Sequence, residues 1–172
     1  MKHHQHGFSL VETILTIVII TIALLAMVFG FSQTAGNSSD PLWQSKTAHL
    51  GQAYTEEILT KRYDEQTPIG GVPACSSGGN ACTAEGSFGF ETGETRATFD
   101  DVDDYHQLSE SPSLNALGVQ RPDYNGYQVQ VTISYAGSAF GRDNDLVKRI
   151  EIQVTPPGGE NTVSFVSFRG NY

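Results

Sequence analysis

Glu12 stands where a carboxylate is expensive. It opens the stretch Thr13 to Phe31, nineteen residues without a charge and mostly Ile, Leu, Val, Ala, Met or Phe. A carboxylate placed in hydrocarbon costs about 2.5–3.5 kcal/mol on insertion scales. It therefore needs a counter-charge, and the run contains no basic residue to supply one. The partner must come from another chain or from a terminal amine. Elsewhere, Asp100, Asp101, Asp103 and Asp104 form the densest charge cluster, with Asp123 and Asn125 further on. Oxygen ligands at that density suit calcium, a hard cation that takes 6–8 of them, although the D-x-D-x-D-G order of an EF-hand is absent. A solvated acidic loop paired with Arg96, Arg121 or Arg142 is the competing reading. Cys75 and Cys82 are the two thiols of the chain, too few for a four-cysteine zinc site. His49 falls on an expected helix and His106 in a loop. No G-x-S-x-G, H-E-x-x-H or phosphate-cradling glycine motif accompanies them, so no enzyme is expected.

The element that carries Glu12 is long. As a helix, residues 8–31 would span about 36 Å, enough to cross a hydrocarbon core of about 30 Å. Ahead of it lie Lys2, His3, His4 and His6, then Gly7. A positive leader before an apolar run stays on the cytoplasmic side and sends the rest of the chain across. The histidines read as a polar, weakly basic leader, with metal binding by a His-rich tract as the other possibility. A secretory signal peptide would have a shorter apolar region and a cleavage site of the A-x-A kind. A plain signal anchor leaves the carboxylate five residues after Gly7 without a purpose.

Gly7-Phe8-Ser9-Leu10-Val11-Glu12 followed by the apolar run resembles the class III signal of type IV pilins and pseudopilins. The resemblance implies that a prepilin peptidase cuts between Gly7 and Phe8 and methylates the new amine of Phe8. Glu12 then becomes the fifth mature residue, placed to neutralise the Phe8 amine of a neighbouring subunit. Two charges that are each costly in lipid become a pair when one subunit docks on the next. It further implies a leader at 1–7, a transmembrane and assembly helix at 8–35, and a periplasmic globular domain at 36–172. The implied partners are other major and minor pilins, the prepilin peptidase, an inner-membrane assembly platform and, before assembly, membrane lipid. The implied location is the bacterial inner membrane and then an extracellular pilus.

Past the apolar run, Gly36, Asn37, Ser38 and Ser39 predict a melted or kinked joint, and Asp40-Pro41 a helix restart with Asp40 as N-cap. Trp43, Thr47, Leu50, Tyr54 and Ile58, joined by Ala53 and Leu59, recur at helical spacing. They predict an amphipathic helix over 41–62 that covers one face of a sheet. Residues 63–95 are a long connection with little periodicity. A Cys75–Cys82 bridge inside it is expected on the non-cytoplasmic side of a membrane; it would close a ring of eight residues and stabilise by about 2.5 kcal/mol. Tyr127, Val129, Val131, Ile133 and Tyr135 alternate with polar residues, as do Ile150, Ile152 and Val154; Val163 to Phe168 is a third run. These predict half-buried antiparallel strands in a meander over 126–169, with turns at Asp143-Asn144-Asp145 and Pro156 to Gly159. Arg96 to Phe99 reads as a short extra strand. Helix first, then meander, is an α+β domain with a pilin-like arrangement.

Composition sets outer limits. The 172 residues carry a net charge of −9, with 17% charged residues, against roughly 25% in an average domain. The acidic balance argues against a nucleic-acid partner, which needs a basic face. Lys61 to Glu65 and Phe99 to Tyr105 resemble segments of minor pilins of the mannose-sensitive haemagglutinin pilus, implying a low-abundance subunit that starts or builds a filament. Two alternatives stay open: a type II secretion pseudopilin, and a pilus-associated adhesin holding a sugar on Tyr105, Tyr124 and Tyr127.

Overall fold

The computed structural model describes residues 9–36, 40–158 and 161–171. The chain divides into two compact units, Met1–Leu42 and Trp43–Tyr172. The first contains α1 (Leu10–Gly36), 27 residues and about 40 Å at helical rise. Its segment Leu10–Gly30 is long and apolar enough to cross a membrane. Its Ile, Leu, Val and Met side chains are all exposed, Leu10 at 75% among them, and Phe29 is exposed at 70%. No stripe is reserved for a core, which is the pattern of a helix whose solvent is not water. The expected joint at 37–39 lies outside the described residues.

The second unit begins inside α2 (Asp40–Leu59) and continues to a four-stranded antiparallel sheet. The strands are β1 (Ser109–Glu110), β2 (Gln128–Tyr135), β3 (Val147–Thr155) and β4 (Val163–Gly170), in spatial order β1-β2-β3-β4. Alternation decides which face is buried. Val129, Val131 and Ile133 of β2 and Ile150, Ile152 and Val154 of β3 point inward. They meet Leu50, Tyr54 and Ile58, which helical spacing places on one side of α2. Register pairs Val131 with Ile152 and Ile152 with Phe165. Gly51 lies under that Phe165 ring, where a Cβ would come within 2.3 Å of it. The helix–sheet approach is set there by a missing side chain.

Two expectations shift. Arg96 to Phe99 is a turn and not a strand: Thr98 donates its N–H to Thr95 O at 2.7 Å, and Thr95 donates to Thr98 Oγ1 at 2.8 Å. The turn lets Arg96 point inward, and β1 takes the place beside β2, pairing Ser109 with Gln130. In addition, α2 stops at Leu59, short of residue 62, because the Arg62 backbone is engaged elsewhere. Its N–H donates to Asp100 O and its carbonyl accepts from Val102 N–H, both at 3.1 Å.

At an exposed helix position a Gly→Ala change gains about 1 kcal/mol. Gly51→Ala should instead lower stability by about 1–2 kcal/mol, since overpacking against Phe165 outweighs the gain. Urea midpoints of the full chain in detergent micelles measure this, and pairing the change with Phe165→Leu should restore part of the loss.

Candidate functional site

Glu12 lies in the first turn of α1 and is exposed. Thr16 one turn later donates its hydroxyl to the Glu12 carbonyl at 2.7 Å, and Thr21 does the same to Ile17. Bonds of this kind satisfy hydroxyls inside the helix itself, leaving the Glu12 carboxylate as the acidic group carried on this apolar surface. Gly7 and Phe8, the expected cleavage pair, lie outside the described residues.

The polar chemistry of the second unit is concentrated in its core. Lys148 shares the inward parity of Ile150, Ile152 and Val154 and is fully buried. Its ammonium donates to Tyr63 O at 2.6 Å, Asp64 Oδ2 at 3.0 Å and Asp103 Oδ1 at 2.5 Å. Three donors thus meet three acceptors. The rings of Tyr63, Phe88 and Tyr135 surround it, 4.5, 5.0 and 5.8 Å from centroid to Nζ. Burial pushes the Tyr63 and Tyr135 phenols well above their ordinary range, so both remain neutral donors. Tyr63 donates to Asp145 O and Tyr135 to Thr83 O, each at 2.6 Å.

Asp64 extends this cluster into the long connection. Its carboxylate accepts from the Thr83 N–H at 3.0 Å, the Thr83 hydroxyl at 3.0 Å and the Gln66 N–H at 3.0 Å. Cys75 and Cys82 are joined in a disulfide, with Cα atoms 4.9 Å apart. No thiolate is left there to bind metal beside Asp64. Asn171 closes the same region by donating to Cys75 O at 2.8 Å.

A second ionic cluster joins α2 to β1. Arg96 Nε donates to Glu110 Oε1 at 2.8 Å. Its Nη2 lies 2.5 Å from Glu57 Oε1 in a second ion pair. Tyr105 donates to Glu57 Oε1 at 2.8 Å, and the Tyr54 hydroxyl meets the other Glu110 oxygen. The guanidinium lies over Tyr105, Phe99 and Tyr54 at 5.0–5.8 Å.

The four aspartates named as calcium candidates do not converge on one point. Asp100 pairs with Arg62 and Asp103 with Lys148. Asp101 Oδ1 accepts from the N–H groups of Asp103 and Asp104, and Asp104 Oδ2 from those of Asp100 and Asp101. Burial first, then the charges of Asp103 and Asp104, push Asp101 up to about 9, so it stays protonated at neutral pH. The arginines expected beside this segment also go elsewhere, since Arg96 and Arg121 both reach Glu57. Tyr105 and Tyr127 are buried and Tyr124 packs edge-on against Tyr127, so these aromatics fill the core instead of forming a sugar platform. His106 Nδ1 accepts from the Ile133 N–H at 3.2 Å, a structural use, while His49 is exposed on α2. The core ion pairs went unread in the sequence. A lysine in phase with Ile150 and Ile152 was the signal that could have revealed one of them.

Residues 2–28 match the family model described as the prokaryotic N-terminal methylation motif. No curated protein and no solved structure matches the chain. The motif ends inside α1, so it characterises the apolar N-terminal segment and its single glutamate.

Breaking a buried pair costs more than the pair itself contributes, because it strands a charge. Lys148→Met should destabilise by about 3–5 kcal/mol, with two carboxylates left unneutralised in the core. Arg149→Ala, which removes the partly exposed pair with Glu151, should cost less than about 1 kcal/mol. Chemical denaturation of the full chain in micelles separates the two.

Proposed function

We propose that the chain is a type IV pilin: anchored in the bacterial inner membrane by α1, cut between Gly7 and Phe8 by a prepilin peptidase, N-methylated at Phe8, and packed into a filament through α1. The observation that carries this is the methylation motif at residues 2–28 leading into a helix that exposes its apolar side chains together with one carboxylate. Such a surface needs lipid before assembly and other helices after it. Between helices, van der Waals packing supplies the contact, and the Glu12 carboxylate with a neighbour's Phe8 amine supplies register. The Cys75–Cys82 bridge fits a domain on the oxidising side of the membrane. Within this reading the subunit is a minor pilin of the mannose-sensitive haemagglutinin type, similar to MshD. That finer assignment rests on the likeness of Lys61 to Glu65 and Phe99 to Tyr105. Both segments flank core ion pairs through Asp64 and Asp103, so they report on how the domain is built.

Glu12→Ala should insert in the membrane and be cleaved normally, yet be absent from filaments sheared from cells, measured by immunoblot of the filament and membrane fractions. Normal incorporation overturns the charge-pairing role. Gly7→Ala should leave the precursor intact, and mass spectrometry should then find residues 1–7 still attached; removal of the leader from that variant overturns the assigned cleavage position.

A further inference from the structure

Lys148 carries a nucleophile as well as a cation. A lysine amine attacks carbonyl carbon once it is desolvated and has given up its proton. This one is fully buried, and the rings of Tyr63, Phe88 and Tyr135 stand 4.5, 5.0 and 5.8 Å from Nζ, where they exclude water.

Two carboxyl groups touch the same nitrogen, and their environments differ. Asp64 accepts from the Thr83 N–H, the Thr83 hydroxyl and the Gln66 N–H besides Lys148, so its negative charge is held without the lysine. Asp103 meets Nζ through Oδ1 at 2.5 Å, the shorter of the two contacts. Burial pushes the Asp103 carboxyl above the usual carboxylate range, while the charge of Lys148 pulls it back. A proton passing from the ammonium to Asp103 turns the ion pair into a neutral amine beside a neutral acid, which a water-free pocket favours. Given a C–O bond of about 1.23 Å, the contact sets the nitrogen about 3–3.5 Å from Asp103 Cγ, a near-attack separation.

We propose that Lys148 Nζ and Asp103 Cγ condense to an amide, a covalent cross-link between β3 and the acidic segment 100–104. The nitrogen lone pair forms the N–C bond as the C=O π pair moves to oxygen. Asp64 Oδ2, 3.0 Å from Nζ, takes a proton from the nitrogen. The C=O bond then re-forms, the C–OH bond breaks, and Asp64 returns the proton to the departing hydroxyl. One amide and one water result. Asp64 ends as it began, and nothing is oxidised or reduced. The nitrogen keeps one N–H, for which Tyr63 O at 2.6 Å is the acceptor in place. The ion pair is the state before this bond closes. The amide joins positions 45 apart, against 7 for the disulfide. Unlike the ion pair it persists in the unfolded chain and restricts it, as a disulfide does.

Mass spectrometry of the full chain, purified in detergent micelles and digested with trypsin and a glutamate-specific protease, tests this. Residues 97–110 and 143–149 should be recovered as one species, one water lighter than the two peptides apart. Fragment ions should place the link at Asp103 and Lys148, and trypsin should fail to cut after Lys148, whose cation is gone. Lys148→Met and Asp103→Ala should each give unlinked peptides. Asp64→Asn keeps the size and removes the base. It should slow closure about 10²-fold or more, read as the linked fraction against time after a pulse of synthesis; an unchanged rate overturns the role given to Asp64. Separate peptides in the parent, with Lys148 cut normally, overturn the proposal. So does a water loss confined to residues 97–110, which is a succinimide at an aspartate. A link from Lys148 to Asp64 overturns the choice of Asp103 as the carbon attacked.

Discussion

An ammonium group cannot sit at the edge of a hydrocarbon core unless each of its N–H donors is met, because an unpaired buried charge costs several kcal/mol. Lys148 satisfies that constraint with three acceptors drawn from distant parts of the chain. Tyr63 O and Asp64 fix the start of the long connection, and Asp103 fixes the acidic segment. Because β3 holds Lys148 in register with Tyr135 of β2, the sheet determines where those two segments must come. The connection 63–95 has few regular elements, yet its course is specified by this one side chain, by the Asp64–Thr83 bonds and by the disulfide.

The Arg96 cluster does the same between α2 and β1. Glu57 on α2 and Glu110 on β1 are charges of like sign that face the interior, and the guanidinium between them makes their approach favourable. The domain therefore holds two aromatic-lined ion clusters beside the hydrophobic core, around Lys148 and around Arg96. Buried pairs of this kind are poor sources of net stability, but they penalise alternative packings heavily. That suits a chain in which only 17% of residues are charged.

The two units answer to different solvents. In the second, apolar side chains turn toward each other and polar alternation faces outward. In α1 apolar side chains are displayed all round and the single acidic residue is displayed with them. Water favours the first arrangement through the hydrophobic effect and disfavours the second. A membrane, or a bundle of similar helices, reverses that preference for α1. The methylation motif and the apolar surface are thus two views of one requirement.

What could be read directly from the residues was whatever repeats over short distances. The apolar run with Glu12, the helical stripe of α2, the alternation in β2 and β3 and the Val- and Phe-rich run of β4 all arise from local patterns, with periods of 3.6 and 2 residues where they repeat. The α+β order followed from them. Arg96 to Phe99 was misread as a strand because its apparent β pattern is overridden by the burial of Arg96. The aspartates looked like one site because they are neighbours in sequence, whereas the fold gives them to Arg62, to Lys148 and to backbone N–H groups. The sequence alone therefore determined the periodic elements and the membrane-compatible helix, since neighbours encode backbone preference and face. Only the tertiary structure decided which charge meets which. Lys148 lies 84 residues from Asp64 and 45 from Asp103, and contacts at about 3 Å depend on a sheet register that no local pattern records.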